Sequence, residues 1–151
     1  MKLRYNSEGN LPPGIHLMRW EEVRRFFGTT AHRRRLLRGL RMALANLKVA
    51  GCRRVYLNGS FVTDKETVLG FPPNDYDACW DIAGVAPARL DPVLLDFSRG
   101  RAAQKAKFFG ELFPAQTPEG VTGRAFLEFF QTDKQTGNAK GIVAIDLEDL
   151  P

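Results

Sequence analysis

A short β-rich run, Arg54 to Leu57, leads straight into Asn58-Gly59-Ser60, and the chain then crosses a loop rich in glycine and proline. It returns through Asp75 to Ile82 as a second β-rich run that opens with Asp75-Tyr76-Asp77. This strand–turn–loop–strand segment constrains the chain more than any other. Residues i and i+2 of a strand face the same side, so Asp75 and Asp77 project together, about 7 Å apart at the backbone. Paired carboxylates suit hard cations such as Mg²⁺. Two such ions can stabilise the attacking and leaving oxygens of a phosphoryl or nucleotidyl transfer. Gly59 lets a backbone come close to a phosphate. Ser60 adds a hydroxyl donor at what reads as the start of a helical turn. Each part has a plainer reading: Asn74-Asp75 after two prolines is turn chemistry, and Gly59-Ser60 is a strand-end turn. The combination is more specific than either part.

The rest of the chain supplies elements to cover such strands. Residues 1–19 read as an irregular lead-in, because Leu11-Pro12-Pro13-Gly14 interrupts any helix. Trp20 to Phe27 reads as a short helix ended by Gly28. Thr29 or Thr30 caps a long helix to about Ala50, closed by Gly51. Its core stripe is Leu36, Leu37, Leu40, Ala43, Leu44 and Leu47. Arg34, Arg38, Arg41 and Lys48 fall mainly on other faces, as a solvated surface or as a footprint for RNA or an acidic partner. Pro87 to Phe97 and Ala102 to Phe109 read as helices. Arg124 to Gln131 and Gly141 to Leu147 read as strands joined by the turn Thr136-Gly137-Asn138.

An α/β (α+β) fold follows: a small mixed β-sheet flanked by helices, in one domain over residues 1–151. Cys52 and Cys79 form no CxxC and no zinc pattern with His16 and His32, and read as reduced core residues. Neither histidine has an acid or nucleophile partner in sequence, so Ser-His and Cys-His mechanisms are set aside. No run reaches the roughly 18 apolar residues of a membrane span. Met1 to Asn10 lacks a signal peptide's apolar stretch, so a cytoplasmic location is expected. The 22 basic against 17 acidic residues, net +5, fit a phosphate-bearing partner.

The pattern resembles the nucleotidyltransferase superfamily typified by DNA polymerase β, with Gly-Ser after one strand and paired acids on the next. More closely, the chain is similar to a group of small uncharacterised bacterial nucleotidyltransferase-like proteins. Gly59-Ser60-Phe61-Val62-Thr63, Asn74-Asp75-Tyr76-Asp77 and Cys79-Trp80-Asp81 carry this likeness. So do Arg101-Ala102-Ala103-Gln104-Lys105, Gly110-Glu111-Leu112-Phe113-Pro114 and Lys140-Gly141-Ile142-Val143. The wider resemblance implies a minimal nucleotidyltransferase fold, Mg²⁺ (or Mn²⁺) and a nucleoside triphosphate. It also implies a setting such as toxin–antitoxin or defence, where some small members modify RNA or a partner protein. The loop from Phe61 to Asn74 is at or slightly above the superfamily's usual spacing, with Val68-Leu69-Gly70-Phe71 as its extra part.

The superfamily usually adds a third acid from a neighbouring strand. Asp81 shares the face of Asp75 and Asp77 but lies about 13 Å beyond Asp77 along the strand, so it reads as structural or substrate-facing. With the hairpin turn centred on Gly137, Glu128 falls directly opposite Asp146. Like charges so placed repel unless a metal or a basic group lies near. Glu128 is therefore expected as the third catalytic and metal-site acid, with Asp146 beside it or in its place. The alternative is a pair between Glu128 and an arginine such as Arg101. A turn of even length would shift this register. Arg101 and Lys105, at i and i+4, share a helix face and read as triphosphate or nucleic-acid contacts or as a solvated face. Tyr76 and Trp80 read as core aromatics.

The expected function is transfer of a nucleoside monophosphate to a hydroxyl of RNA (tRNA included), protein or a small molecule. In this reading Asp75, Asp77, Glu128 and Asp146 hold metal, and Gly59, Ser60, Arg101 and Lys105 hold the nucleotide. The alternatives are a catalytically degenerate binding module, acting as antitoxin, adaptor or RNA binder, and a metal-dependent phosphohydrolase.

Overall fold

A computed structural model describes residues 3–151; Met1 and Lys2 lie outside the described residues. Strand β1 (Ile15–Met18) is followed by helices α1 (Trp20–Phe27) and α2 (Ala31–Val49). Next come β2 (Arg54–Asn58), α3 (Lys65–Leu69) and β3 (Tyr76–Trp80). The chain closes with α4 (Ser98–Phe108), β4 (Gly110–Pro114), α5 (Phe126–Phe129) and β5 (Ile142–Asp146). The five strands form one mixed sheet in the order β1-β5-β2-β3-β4. The central β2 runs antiparallel to both β5 and β3, while β1 and β4 add in parallel at the edges. The expected mixed sheet flanked by helices is present. No helix among the described residues is long and apolar enough to cross a membrane.

The period-2 pattern of the strands separates two cores. Val55, Leu57, Tyr76, Ala78, Trp80, Leu112, Val143 and Ile145 face α1 and α2 and join the stripe Leu36, Leu40, Leu44 and Leu47. The opposite face carries Cys79, beneath Ala115 and Phe130, with Tyr56, Phe113 and Phe126 packed around them. Thr30 caps α2 by accepting a hydrogen bond from the Arg33 N–H at 3.1 Å. Burial raises the thiols of Cys52 and Cys79 to about 11 and about 12, so both are protonated, inert core groups at neutral pH.

Three sequence expectations are corrected here. The lead-in is not wholly irregular: Ile15–Met18 pairs with Ile142–Ile145, with Ile15 and Leu17 exposed as on an edge strand. The expected helix Pro87 to Phe97 is two short 3-10 turns, Pro87–Arg89 and Pro92–Leu95, because Pro92 interrupts it and Asp91 caps the second turn. The expected strand Arg124 to Gln131 is instead the short helix α5 within irregular chain. Phe126 and Phe130, one helical turn apart, both pack onto Phe113 of β4, with ring centroids 4.3 and 6.2 Å away. Packing against that ring overrides the aromatic run's β-propensity.

Asp133 ties the segment after α5 to the rest of the molecule. Its buried carboxylate accepts from the Asn10 amide at 2.7 Å, the Gln135 N–H at 2.8 Å and the Lys65 ammonium at 3.4 Å. Burial alone pushes this carboxyl up, but the three donors outweigh it and hold it at about 2, against 3.8 for a free Asp. A carboxyl depressed on folding contributes stability that is complete above the unfolded value and is lost as pH falls through the folded one. Asp133→Asn is therefore expected to cost about 2 kcal/mol at neutral pH. Urea titrations at a series of pH values should show that difference closing as the pH drops from 3.8 towards about 2.

Candidate metal centre

β3 and β4 place the acids. Asp77 pairs in register with Asn58 of β2 on one side and with Glu111 of β4 on the other. Asp75 lies just before β3 and alternates in phase with Asp77. One carboxylate oxygen from each of Asp75, Asp77 and Glu111 lies within 4.8 Å of the other two. This trio sits at the end of the sheet face that also carries Cys79 and Phe113. Tyr76, in opposite phase, points into the main core and donates to the Phe108 carbonyl at 2.8 Å.

The position of Glu111 is fixed by its neighbours. Buried Gln104 of α4 donates to the Leu94 carbonyl at 3.3 Å and accepts from the Leu112 N–H at 2.8 Å, so it ties α4 to β4. Gly110 has no side chain because a Cβ there would meet the Tyr76 ring at 2.5 Å. Arg101 reaches Glu111 with Nε at 2.8 Å and Nη2 at 2.6 Å, and Lys105 Nζ lies 3.6 Å away. Arg99, Gly100 and Arg101 all have positive φ, so the right-handed part of α4 starts at Ala102, as its sequence suggests.

Gly59 lies directly against the trio. Its φ of 76° and ψ of −165° belong to a region open essentially to glycine alone. A Cβ at this position would stand 2.2 Å from Oδ2 of Asp77. Glycine here thus gives Asp77 room beside the turn. Ser60 opens the 3-10 turn Ser60–Val62 and is exposed. The loop beyond is clamped to α2 by Arg33, which is 2% exposed. Its guanidinium donates to the Phe61 carbonyl at 2.7 Å, the Thr63 carbonyl at 3.0 Å and Glu66 at 2.5 Å. Arg33→Ala leaves these buried acceptors unpaired and is expected to cost about 3 kcal/mol. Chemical denaturation measures it.

The electrostatics of the trio are unbalanced. Burial first, then hydrogen bonding to Glu111 and the charges of Glu111 and Asp75, raise the Asp77 carboxyl well above its ordinary value. Asp75 is raised too, by burial and then by Glu111. Burial also acts upward on Glu111, but its bonds to Asp77 and Arg101 and the nearby cations bring it below the ordinary range. An all-oxygen set of crowded carboxylates fits a hard divalent cation, which offsets both the burial and the mutual repulsion that raise Asp75 and Asp77.

The other residues read as site candidates fall as follows. Arg101 and Lys105 converge on the trio through Glu111. Glu128 and Asp146 do not join it. Glu128 is exposed on α5, so it has no strand partner across a hairpin. The turn closes from Asp133 to Asn138, an even loop of four residues that also removes the expected register. Asp146 pairs in register with Arg54, at the far end of β2 from Asn58 and about 13 Å from it by strand rise. Asp81 is structural: its Oδ1 accepts from the Ala83 N–H at 2.9 Å and the Gln116 amide at 2.8 Å. Glu111 was the acid that spacing missed. Its strand reaches β3 only through the crossover by α4, and its sole local signal is Gly110-Glu111 after a helix.

A family of unknown function, DUF6932, matches residues 3–146. The chain belongs to that family. No curated protein and no solved structure matches it. In this DUF6932 protein the trio is the cluster of oxygen ligands that could hold a metal ion. Beside it opens a cleft of about 400 Å³ lined by Arg35, Asn74, Asp75, Lys105 and Phe109.

Proposed function

We propose that this protein is a metal-dependent nucleotidyltransferase. The observation that carries the reading is the packing of Asp77 against a side-chain-free Gly59, which joins a Gly-Ser turn to a carboxylate trio. Asp75, Asp77 and Glu111 hold Mg²⁺ or Mn²⁺, which when bound supplies charge stabilisation for phosphoryl oxygens. Ser60 donates its hydroxyl to the triphosphate, and Gly59 lets the backbone approach it. Lys105 and Arg35 line the cleft as further cations for the nucleotide. The acceptor hydroxyl oxygen bonds to the α-phosphorus as the bond to the bridging oxygen breaks, and pyrophosphate leaves. Glu111, held ionised by Arg101, takes the hydroxyl proton. Catalysis of this kind is mainly positioning and charge stabilisation. The acceptor is RNA (tRNA included), a partner protein such as a toxin or antitoxin, or a small molecule.

One observation favours a second reading, a nucleotidyltransferase-like binding module without turnover. Arg101 and Lys105 already neutralise Glu111, which is the part a resident cation would otherwise play. Labelled triphosphates, Mn²⁺ or Mg²⁺ and host RNA or protein separate the two. Label transfer by the wild type and none by Asp75→Ala/Asp77→Ala is expected. Transfer that survives the double substitution removes the mechanism. Metal binding with no transfer to any acceptor supports the module.

A further inference from the structure

A groove of about 430 Å³ lies between α1 and α2, away from the carboxylate trio. Arg24 and Arg25 of α1 and Arg34, Arg38 and Arg41 of α2 line it. On α2 the three arginines follow i, i+4, i+7 spacing and make one stripe about 10 Å long. All are exposed except half-buried Arg41. Glu21 is the sole carboxylate in the lining and binds Arg24 at 2.8 Å. Among the described residues, no Asp or Glu carboxylate lies within 4.0 Å of Arg25, Arg34, Arg38 or Arg41. Arg34 donates to the Gly28 carbonyl at 3.1 Å and Arg41 to the Pro151 carbonyl. The Gly28 bond orients the Arg34 guanidinium without neutralising it. Buried Trp20 and Leu37 form the floor.

Five arginines against one carboxylate in the lining leave a concentration of positive charge that costs the fold repulsion, which the Glu21–Arg24 pair offsets only in part. A polyanion would offset the rest. The lining cations are all arginine, whose planar fork matches phosphate oxygens. A groove of about 430 Å³ has room for a single extended backbone. The next residue of α2, Arg35, turns out of the groove into the cleft beside Asp75, with its guanidinium 4.1 Å over the Phe109 ring. The arginines of α2 thus run from the groove to the edge of the carboxylate trio. We propose that the α1–α2 groove binds the sugar–phosphate backbone of single-stranded RNA, the main unpaired polynucleotide in cells. That the bound strand is also the acceptor rests on the nucleotidyl-transfer reading; its binding in the groove does not. The path of arginines from the groove to the cleft beside Asp75 favours RNA over an acidic peptide.

Fluorescence anisotropy with a short unstructured labelled RNA tests this. Wild-type affinity should fall with salt at a log–log slope of about −3, the release expected for four to five phosphates. Arg34→Glu/Arg38→Glu should weaken binding by about tenfold or more and flatten that slope. If charge reversal disturbs folding, as read by circular dichroism melting, Arg25→Gln/Arg38→Gln serves in its place with the same direction of effect. The proposal is overturned if wild type fails to bind RNA, if both variants bind as wild type does, or if polyglutamate displaces the RNA at equal charge. The Mn²⁺-induced melting shift, measured on the same samples, keeps the two readings apart. Its absence in wild type sinks the metal site alone, and its retention in a variant that has lost RNA assigns the loss to the groove.

Discussion

Millimolar Mn²⁺ is expected to raise the melting temperature of the wild-type protein by about 8 °C and to leave that of Asp77→Asn unchanged. The size follows from linkage: a ligand near a hundred times its dissociation constant adds about 2.7 kcal/mol to a fold of this length. The sign follows from the trio. Carboxylate oxygens of Asp75, Asp77 and Glu111 lie within 4.8 Å of one another, and burial and mutual charge raise Asp77 well above its ordinary value. Without metal this arrangement destabilises the native state whenever the carboxylates are ionised. Asp77→Asn removes one of those charges and offers Glu111 an amide donor, so the metal-free variant should melt above metal-free wild type, by about 1 kcal/mol. A variant that gains intrinsic stability while losing its response to cation is the signature of a site built for function. Equal Mn²⁺ shifts in both proteins, or none in wild type, remove the trio as a metal centre.

The second large effect is expected at Gly59. Alanine there meets two obstacles: a backbone conformation of φ 76° and ψ −165° that side chains do not tolerate, and Oδ2 of Asp77 at 2.2 Å from the new Cβ. Either the turn or the carboxylate moves. Gly59→Ala should lose about 3 kcal/mol of stability. Its Mn²⁺ response should also fall towards that of Asp77→Asn, although the substitution removes no ligand. Ser60→Ala, at an exposed position, is the control that should leave both stability and the Mn²⁺ response near wild type. Thermal melts of the three variants with and without Mn²⁺ decide it. A fully responsive Gly59→Ala would show that Asp77 does not depend on the turn.

The sequence carried Asp75, Asp77 and Gly59 because all three are local. Strand alternation aligns the two acids, and a glycine before a serine marks a turn. The helices α1 and α2 were legible for the same reason, through a capping threonine, a leucine stripe and terminating glycines. The third acid was not legible, because its place depends on topology. Glu111 meets Asp77 through a parallel crossover, and no spacing rule states which strand lies beside β3. Glu128 failed for a physical reason too. Phe126, Leu127, Phe129 and Phe130 can alternate on a strand or form one helical turn, and packing on Phe113 selects the turn. The expected helical i, i+4 register of Arg101 and Lys105 does not hold, because Arg101 has positive φ and precedes the right-handed helix; both side chains nonetheless converge on Glu111, which had not been placed.

The parallel pairing of Ile15–Met18 with Ile142–Ile145 has a consequence for biosynthesis. These two segments stand at opposite ends of the matched region, so the sheet's outer strand cannot dock until nearly all of that region has left the ribosome. Until then β5 is missing and β2 lacks one of its two neighbours. Contacts of such long sequence separation form late and slow folding. Until β5 emerges, the nascent chain therefore presents an unpaired β1 and an open edge of β2 to chaperones.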